Sequence, residues 1–92
     1  MSYRVVWRRR VRDRLGVLTF LALELGRDAT AITQAVVEVD RRLSTNPTGE
    51  GESRDGPERV LIVHPLSVTF EVFEVEQVVL IYSAVYYPRQ RA

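Results

Sequence analysis

Residues 59–87 read RVLIVHPLSVTFEVFEVEQVVLIYSAVYY, a run so dense in Val, Ile, Leu, Phe and Tyr that few architectures can take it. Branched and aromatic side chains suit a pleated, packed surface, so the stretch predicts three consecutive strands of an antiparallel meander. Two interruptions divide it. Pro65 has no N–H to give a ladder, which puts His64-Pro65 at a strand end. The polar residues 74–77 fit a short hairpin loop. Strands are expected at about 59–64, 66–74 and 77–87. In the middle one, Leu66, Val68, Phe70 and Val72 alternate with Ser67, Thr69 and Glu71, so one face goes to a core. In the last one, Val78, Val79, Leu80 and Ile81 are all apolar. That pattern predicts a strand flanked on both edges and covered on both faces.

Residues 1–7 include YRVVW, a short alternating segment that predicts a first strand pairing at one edge of the meander. Residues 8–14, RRRVRDR, form a basic opening to a helix. Val11, Leu15, Leu18, Ala22 and Leu25 then recur at steps of four and three, an apolar stripe of helical period. Val17, Phe20, Leu21 and Leu23 widen the stripe, which predicts burial on more than one side. Gly26 suits the left-handed residue that ends a helix. Asp28 reads as the N-cap of a second helix beginning near Ala29, with Ala29, Ile32, Val36, Val39 and Leu43 as its stripe. Arg41 and Arg42 fall in its last turn, where cations oppose the negative end of the macrodipole. Residues 44–58, STNPTGEGESRDGPE, hold three Gly and two Pro with almost nothing to bury, so an exposed, mobile loop is expected.

The order strand, helix, helix, three strands predicts a single α+β domain over residues 1–92. A helical hairpin packs on one face of an antiparallel sheet of about four strands, and the opposite face is left open. Ninety-two residues support one modest core. The chain has no cysteine, which excludes disulfides, thiolate metal sites and a cysteine nucleophile, and makes a reducing cytoplasm the simplest compartment. One histidine and scattered carboxylates give no metal-ligand spacing. Nothing points to a cofactor. All 13 basic residues are arginine, and the small net charge of +1 hides an asymmetry, basic in residues 1–46 and acidic in residues 47–92. Arginine grips phosphate in a bidentate fork and stacks on bases, so such a surface suits RNA or an acidic partner.

Taken together, the YRVVW strand, the amphipathic hairpin, the Gly/Pro-rich loop ending at Arg59 in ERVLIV, and the closing HPLSVTFEVFEVEQVVLIYSAVYY resemble the RelE/ParE superfamily of type II toxins. The resemblance runs through nearly the whole chain in order and length. It implies a toxin of a type II toxin–antitoxin system in a microbial-RNase-like α/β fold. In most branches that toxin is a ribosome-dependent, metal-independent endoribonuclease cutting mRNA. In the ParE branch it inhibits DNA gyrase. A cognate antitoxin is the implied partner, with ribosome and mRNA or gyrase as the target.

In the nuclease branch, Arg59 matches the strand-opening arginine and is expected on the scissile phosphate. Tyr86 and Tyr87 close the last strand where that branch places polar catalytic groups, Tyr87 being the closer match. Arg54, Arg89 and Arg91 are expected to add phosphate contacts. This sequence departs from the nuclease pattern at Ser67, where many active members carry a second arginine. It departs again at Glu50, Glu52, Asp55 and Glu58, where several carry basic loop residues. Fewer cations stabilise a pentacovalent phosphorane less well, which predicts weakened cleavage. Read from the residues alone, Arg59 is equally a strand-edge arginine paired with Glu58 or Glu71, and His64 a turn residue facing solvent. Beside the mRNA-cleaving reading stand a gyrase-binding toxin without chemistry and a homodimeric interaction module using Trp7 and the apolar excess of the first helix.

Overall fold

The computed structural model describes residues 2–87. The element order is β1 (Arg4–Trp7), α1 (Arg9–Glu24), α2 (Ala29–Thr45), a 3₁₀ turn (Pro47–Gly49), β2 (Glu52–Ser53), β3 (Glu58–Val63), β4 (Leu66–Phe73) and β5 (Val78–Tyr86). The three meander strands fall within a residue or so of their expected bounds, with the His64-Pro65 turn and the 74–77 hairpin between them.

The sheet has five strands in the order β1-β5-β4-β3-β2. It is mixed rather than wholly antiparallel, because β1 runs parallel to β5 while the remaining pairs are antiparallel. The helical hairpin accounts for this. It carries the chain up and down over the sheet, β2 brings it back along the far edge, and β3 then starts in the direction of β1. β5 lies between β1 and β4, flanked on both edges as expected.

Alternation sorts the sheet into two faces. Leu61 of β3, Leu66, Val68 and Phe70 of β4, and Val79, Ile81 and Ala84 of β5 are buried. They meet Val11, Leu15 and Ala22 of α1 and Ile32, Ala35, Val39 and Leu43 of α2. Among the described residues, nothing forms a second layer on the other face. Leu80 and Tyr82 are only half-buried there, so β5 is covered on one face and not on two.

Both helix ends follow the local chemistry. Gly26 takes φ +70°. The N–H of Arg27 then reaches Ala22 O at 2.7 Å and that of Gly26 reaches Leu23 O at 3.1 Å, satisfying carbonyls that the end of α1 would otherwise orphan. Asp28 caps α2 by accepting from the Thr30 N–H at 2.9 Å. Its hydrogen bonds to the Thr30 hydroxyl and backbone hold its carboxyl below the ordinary value. The expected stripe of α1 is buried at Val11, Leu15 and Ala22, while Leu25 lies beyond the last turn and is exposed. Val17, Phe20, Leu21 and Leu23 do not bury a second side of the helix. They face solvent, because α2 and the sheet pack against the same flank of α1.

Residues 51–58 are exposed, as expected, but the 44–58 segment carries more regular structure than its composition suggests. α2 continues through Thr45, Pro47 is buried, and β2 pairs with β3. Arg42 of α2 holds the Glu50 carboxylate at 2.6 Å, so this arginine is engaged by the loop as well as lying in the last helical turn. Gly51 sits at φ +69°, and a Cβ there would run into Val60 O of the neighbouring strand, so glycine is required on both counts. Trp7 is half-buried against the core, and its indole N–H donates to Asp40 Oδ1 at 2.7 Å. The tryptophan thus fixes β1 to α2 and is not a free docking side chain.

Candidate functional site

Register places the residues expected to act. On β3, Arg59, Leu61 and Val63 share the helix-side face, since Arg59 stands opposite Phe70 and Leu61 opposite Val68. Glu58, Val60 and Ile62 share the open face, beside Glu71, Thr69 and Ser67 of β4. Arg59 therefore pairs with neither Glu58 nor Glu71. Its guanidinium donates to Glu50 O at 3.0 Å, to Ser53 Oγ at 2.9 Å and to Gly51 O at 3.3 Å. Three donors of a rigid planar fork meet three acceptors of one folded segment, which is the work arginine geometry suits best.

Tyr86 stands opposite Leu66 and packs against the core on the helix side. Arg59 and Tyr86 are thus separated by the four residue steps from Phe70 to Leu66 on β4, about 13 Å along the strand. Tyr87 follows the end of β5 and is exposed, and its backbone N–H donates to Pro65 O at 2.7 Å. Arg54 is exposed in the β2–β3 turn. His64 is exposed at the β3–β4 turn, as expected. Arg89 and Arg91 lie outside the described residues. Ser67 lies on the open face between Ile62 and Val85, both exposed, in a row with no cation among the described residues.

The open face gathers a different set, created by an irregularity the sequence does not announce. β4 and β5 change register between Thr69 and Phe70, so that Thr69 pairs with Ser83 while Phe70 pairs with Ile81, leaving Tyr82 as an extra residue. A bulge of this kind re-aims a side chain. Here Tyr82 reaches across the open face and donates its hydroxyl to Glu71 Oε1 at 2.7 Å. The Arg8 guanidinium carbon stands 5.7 Å from the centre of the Tyr82 ring, a cation–π contact.

The hydrogen bond to Glu71, then burial, then the charges of Glu71 and Glu58 raise the Tyr82 pKa above the ordinary phenol value, with Arg8 acting the other way. Tyr82 is therefore a neutral donor near pH 7 and not a base. A phenol raised in the folded state contributes stability that is complete below the unfolded value near 10 and is lost as pH rises through the folded value. Alkaline absorbance titration should accordingly show one of the four tyrosines ionising above its peers. Glu71→Gln should bring that tyrosine back toward the ordinary range.

Beyond the end of β1, the rest of β5 is flanked by the first turns of α1. Arg10, Arg14, Tyr82, Ser83 and Val85 line a cleft of about 250 Å³ there. α1 has no acidic residue in its first turn and no side-chain cap at Arg8, so nothing in that turn neutralises the positive helix end. Its two arginines favour an anion or an acidic side chain at the rim, while Val11, Ala84 and Val85 make the rest of the lining apolar. The centre of the open face, with Glu58 and Glu71, repels an anion. Among the described residues no cluster of His, Cys, Asp and Glu could hold a metal, and no helix is long and apolar enough to cross a membrane.

No protein-family model matches the sequence, and no curated protein matches it either. Solved structures do. A chain of the toxin–antitoxin complex RelBE2 from Mycobacterium tuberculosis superposes with a TM-score of 0.72 at 12% identity, over 97% of this chain and 95% of that one. A chain of the chromosomal ParDE TA system from P. aeruginosa gives a TM-score of 0.72 at 22% identity, over 92% of this chain and 96% of that one. Such low identity carries architecture and not activity. Two helices on one side of a five-stranded mixed sheet, shared over nearly the full length of both chains, give this protein the RelE/ParE-like α+β fold.

Proposed function

We propose that this chain is the toxin half of a type II toxin–antitoxin pair, and that it acts by docking on DNA gyrase, as the ParE branch does, rather than by cutting mRNA. The toxin assignment rests on the full-length likeness to chains of two toxin–antitoxin assemblies. One observation favours docking over cleavage. The Arg59 guanidinium is taken up by Glu50 O, Ser53 Oγ and Gly51 O on the helix side, about 13 Å along the strand from Tyr86. Cutting RNA requires a base at a ribose hydroxyl, a cation at the phosphorane and an acid at the leaving oxygen, held together. Tyr82 is fixed as a donor to Glu71, and the Ser67 row has no cation among the described residues.

The partner in this account is an antitoxin whose binding silences the toxin. The test is induction in a bacterial host. Growth should arrest, arrest should be relieved by co-expressing the cognate antitoxin, and the exposed-site change Tyr87→Phe should leave arrest intact. Induction without arrest overturns the toxin assignment. Arrest abolished by Tyr87→Phe overturns the docking account.

A further inference from the structure

The outer flank of α1 carries an apolar stripe that nothing among the described residues covers. Val17, Phe20 and Leu21 are 57%, 59% and 45% exposed. At spacings of three and four they lie together on the helix, on the side away from the buried Val11, Leu15 and Ala22. They cannot reach this chain's own core. A contiguous apolar patch of this kind marks an interaction site more often than a bare surface.

The charges at its ends say what fits it. Arg14 borders the stripe on its N-terminal side and Glu24 on its C-terminal side. Neither has an ion-pair partner among the described residues. α1 has arginines and no acid in its first turn, and Glu24 but no basic residue in its last. That is the reverse of what stabilises a helix against its own macrodipole.

We propose that the stripe docks on a second copy of this chain, α1 against α1 in antiparallel fashion about a two-fold axis at the level of Thr19. Laying residues 17–21 over their own copies brings Val17 against Leu21 of the second copy. The same symmetry brings Arg14 against Glu24 of the second copy, twice per interface. Each misplaced end charge then meets its opposite, and the two macrodipoles run head to tail. A parallel pairing would instead set Arg14 against Arg14. The contact is isologous, so it closes on two copies and does not propagate. Three apolar side chains and two charge pairs make a small contact, so association is expected to be weak, with a dissociation constant on the order of micromolar. This proposal stands apart from the functional assignment above, although Arg14 also lines the cleft beside Tyr82.

Sedimentation velocity of the full chain, across concentrations from about 1 to 300 μM at moderate salt, tests it. Wild type should pass from monomer to dimer within that range. Phe20→Glu, at a solvent-facing position that leaves folding intact by circular dichroism, should stay monomeric throughout. Arg14→Glu and Glu24→Arg should each weaken association at least tenfold, and the double charge swap should restore it. A wild type that stays monomeric overturns the proposal, as does a Phe20→Glu protein that dimerises normally. A double swap no tighter than the single changes overturns the antiparallel register.

Discussion

Truncating Phe70 to alanine should lower folding stability by about 3–5 kcal/mol, the range for removing a fully buried phenylalanine. Phe70 is completely buried on β4, between Arg59 on one neighbouring strand and Ile81 on the other. It also stands at the register change that admits Tyr82, so the cavity would open where the sheet is least regular. Domains of this size are stable by only about 5–15 kcal/mol, so the loss takes a large share of the whole. Urea denaturation followed by circular dichroism measures it as a lowered midpoint. Phe73→Ala, at a half-buried position on the open face, is the control and should cost less than half as much. A Phe70→Ala protein within 1 kcal/mol of wild type would mean that the core is not centred on β4.

The second large effect belongs to Arg59. Replacing it with methionine keeps the aliphatic length but leaves Glu50 O, Gly51 O and Ser53 Oγ without their donor. Hydrogen bonds to a charged group contribute about 1.5–3 kcal/mol each when intact, and partial exposure here brings the expected total to about 1–3 kcal/mol. Amide exchange in residues 46–53 should accelerate more than exchange in β4, because the fork ties down that segment and not the sheet centre. Arg59→Lys separates this role from a phosphate contact. Lysine keeps the positive charge but cannot reach three acceptors from one planar group, so it should open the segment nearly as far as methionine does. If lysine holds the segment closed, the fork geometry is not what matters.

The elements that follow from repeating patterns were legible in the sequence. The 3.6-residue stripes of both helices, the alternation through Leu66, Val68, Phe70 and Val72, the Asp28 cap and the Gly26 terminator each express one local rule, and each is found. The flanking of β5 on both edges was legible for the same reason. What was hidden depends on groups far apart in the chain. Residues 44–58 look unstructured by composition, since their fixed geometry comes from Arg42 and Arg59, neither of which lies in the segment. The unbroken run Val78–Ile81 suggested burial on both faces, yet no local signal distinguishes a covered face from an open one.

The same limit applied to the candidate site. Period-two counting from Arg59 and from Tyr87 cannot foresee a bulge, and the bulge sits at Tyr82, whose hydroxyl meets Glu71 on the open face. The one sequence signal that pointed there was the arginine run at residues 8–14. Arg8, Arg10 and Arg14 of that run stand beside Tyr82.

Docking without cleavage is the claim on which the functional account turns, and one paired assay addresses it directly. The purified chain is added to gyrase with relaxed plasmid and, in parallel, to a reconstituted translation reaction with end-labelled mRNA. The account predicts that supercoiling is inhibited while the mRNA stays full length. Ribosome-dependent cuts in the mRNA, with supercoiling unaffected, would contradict it.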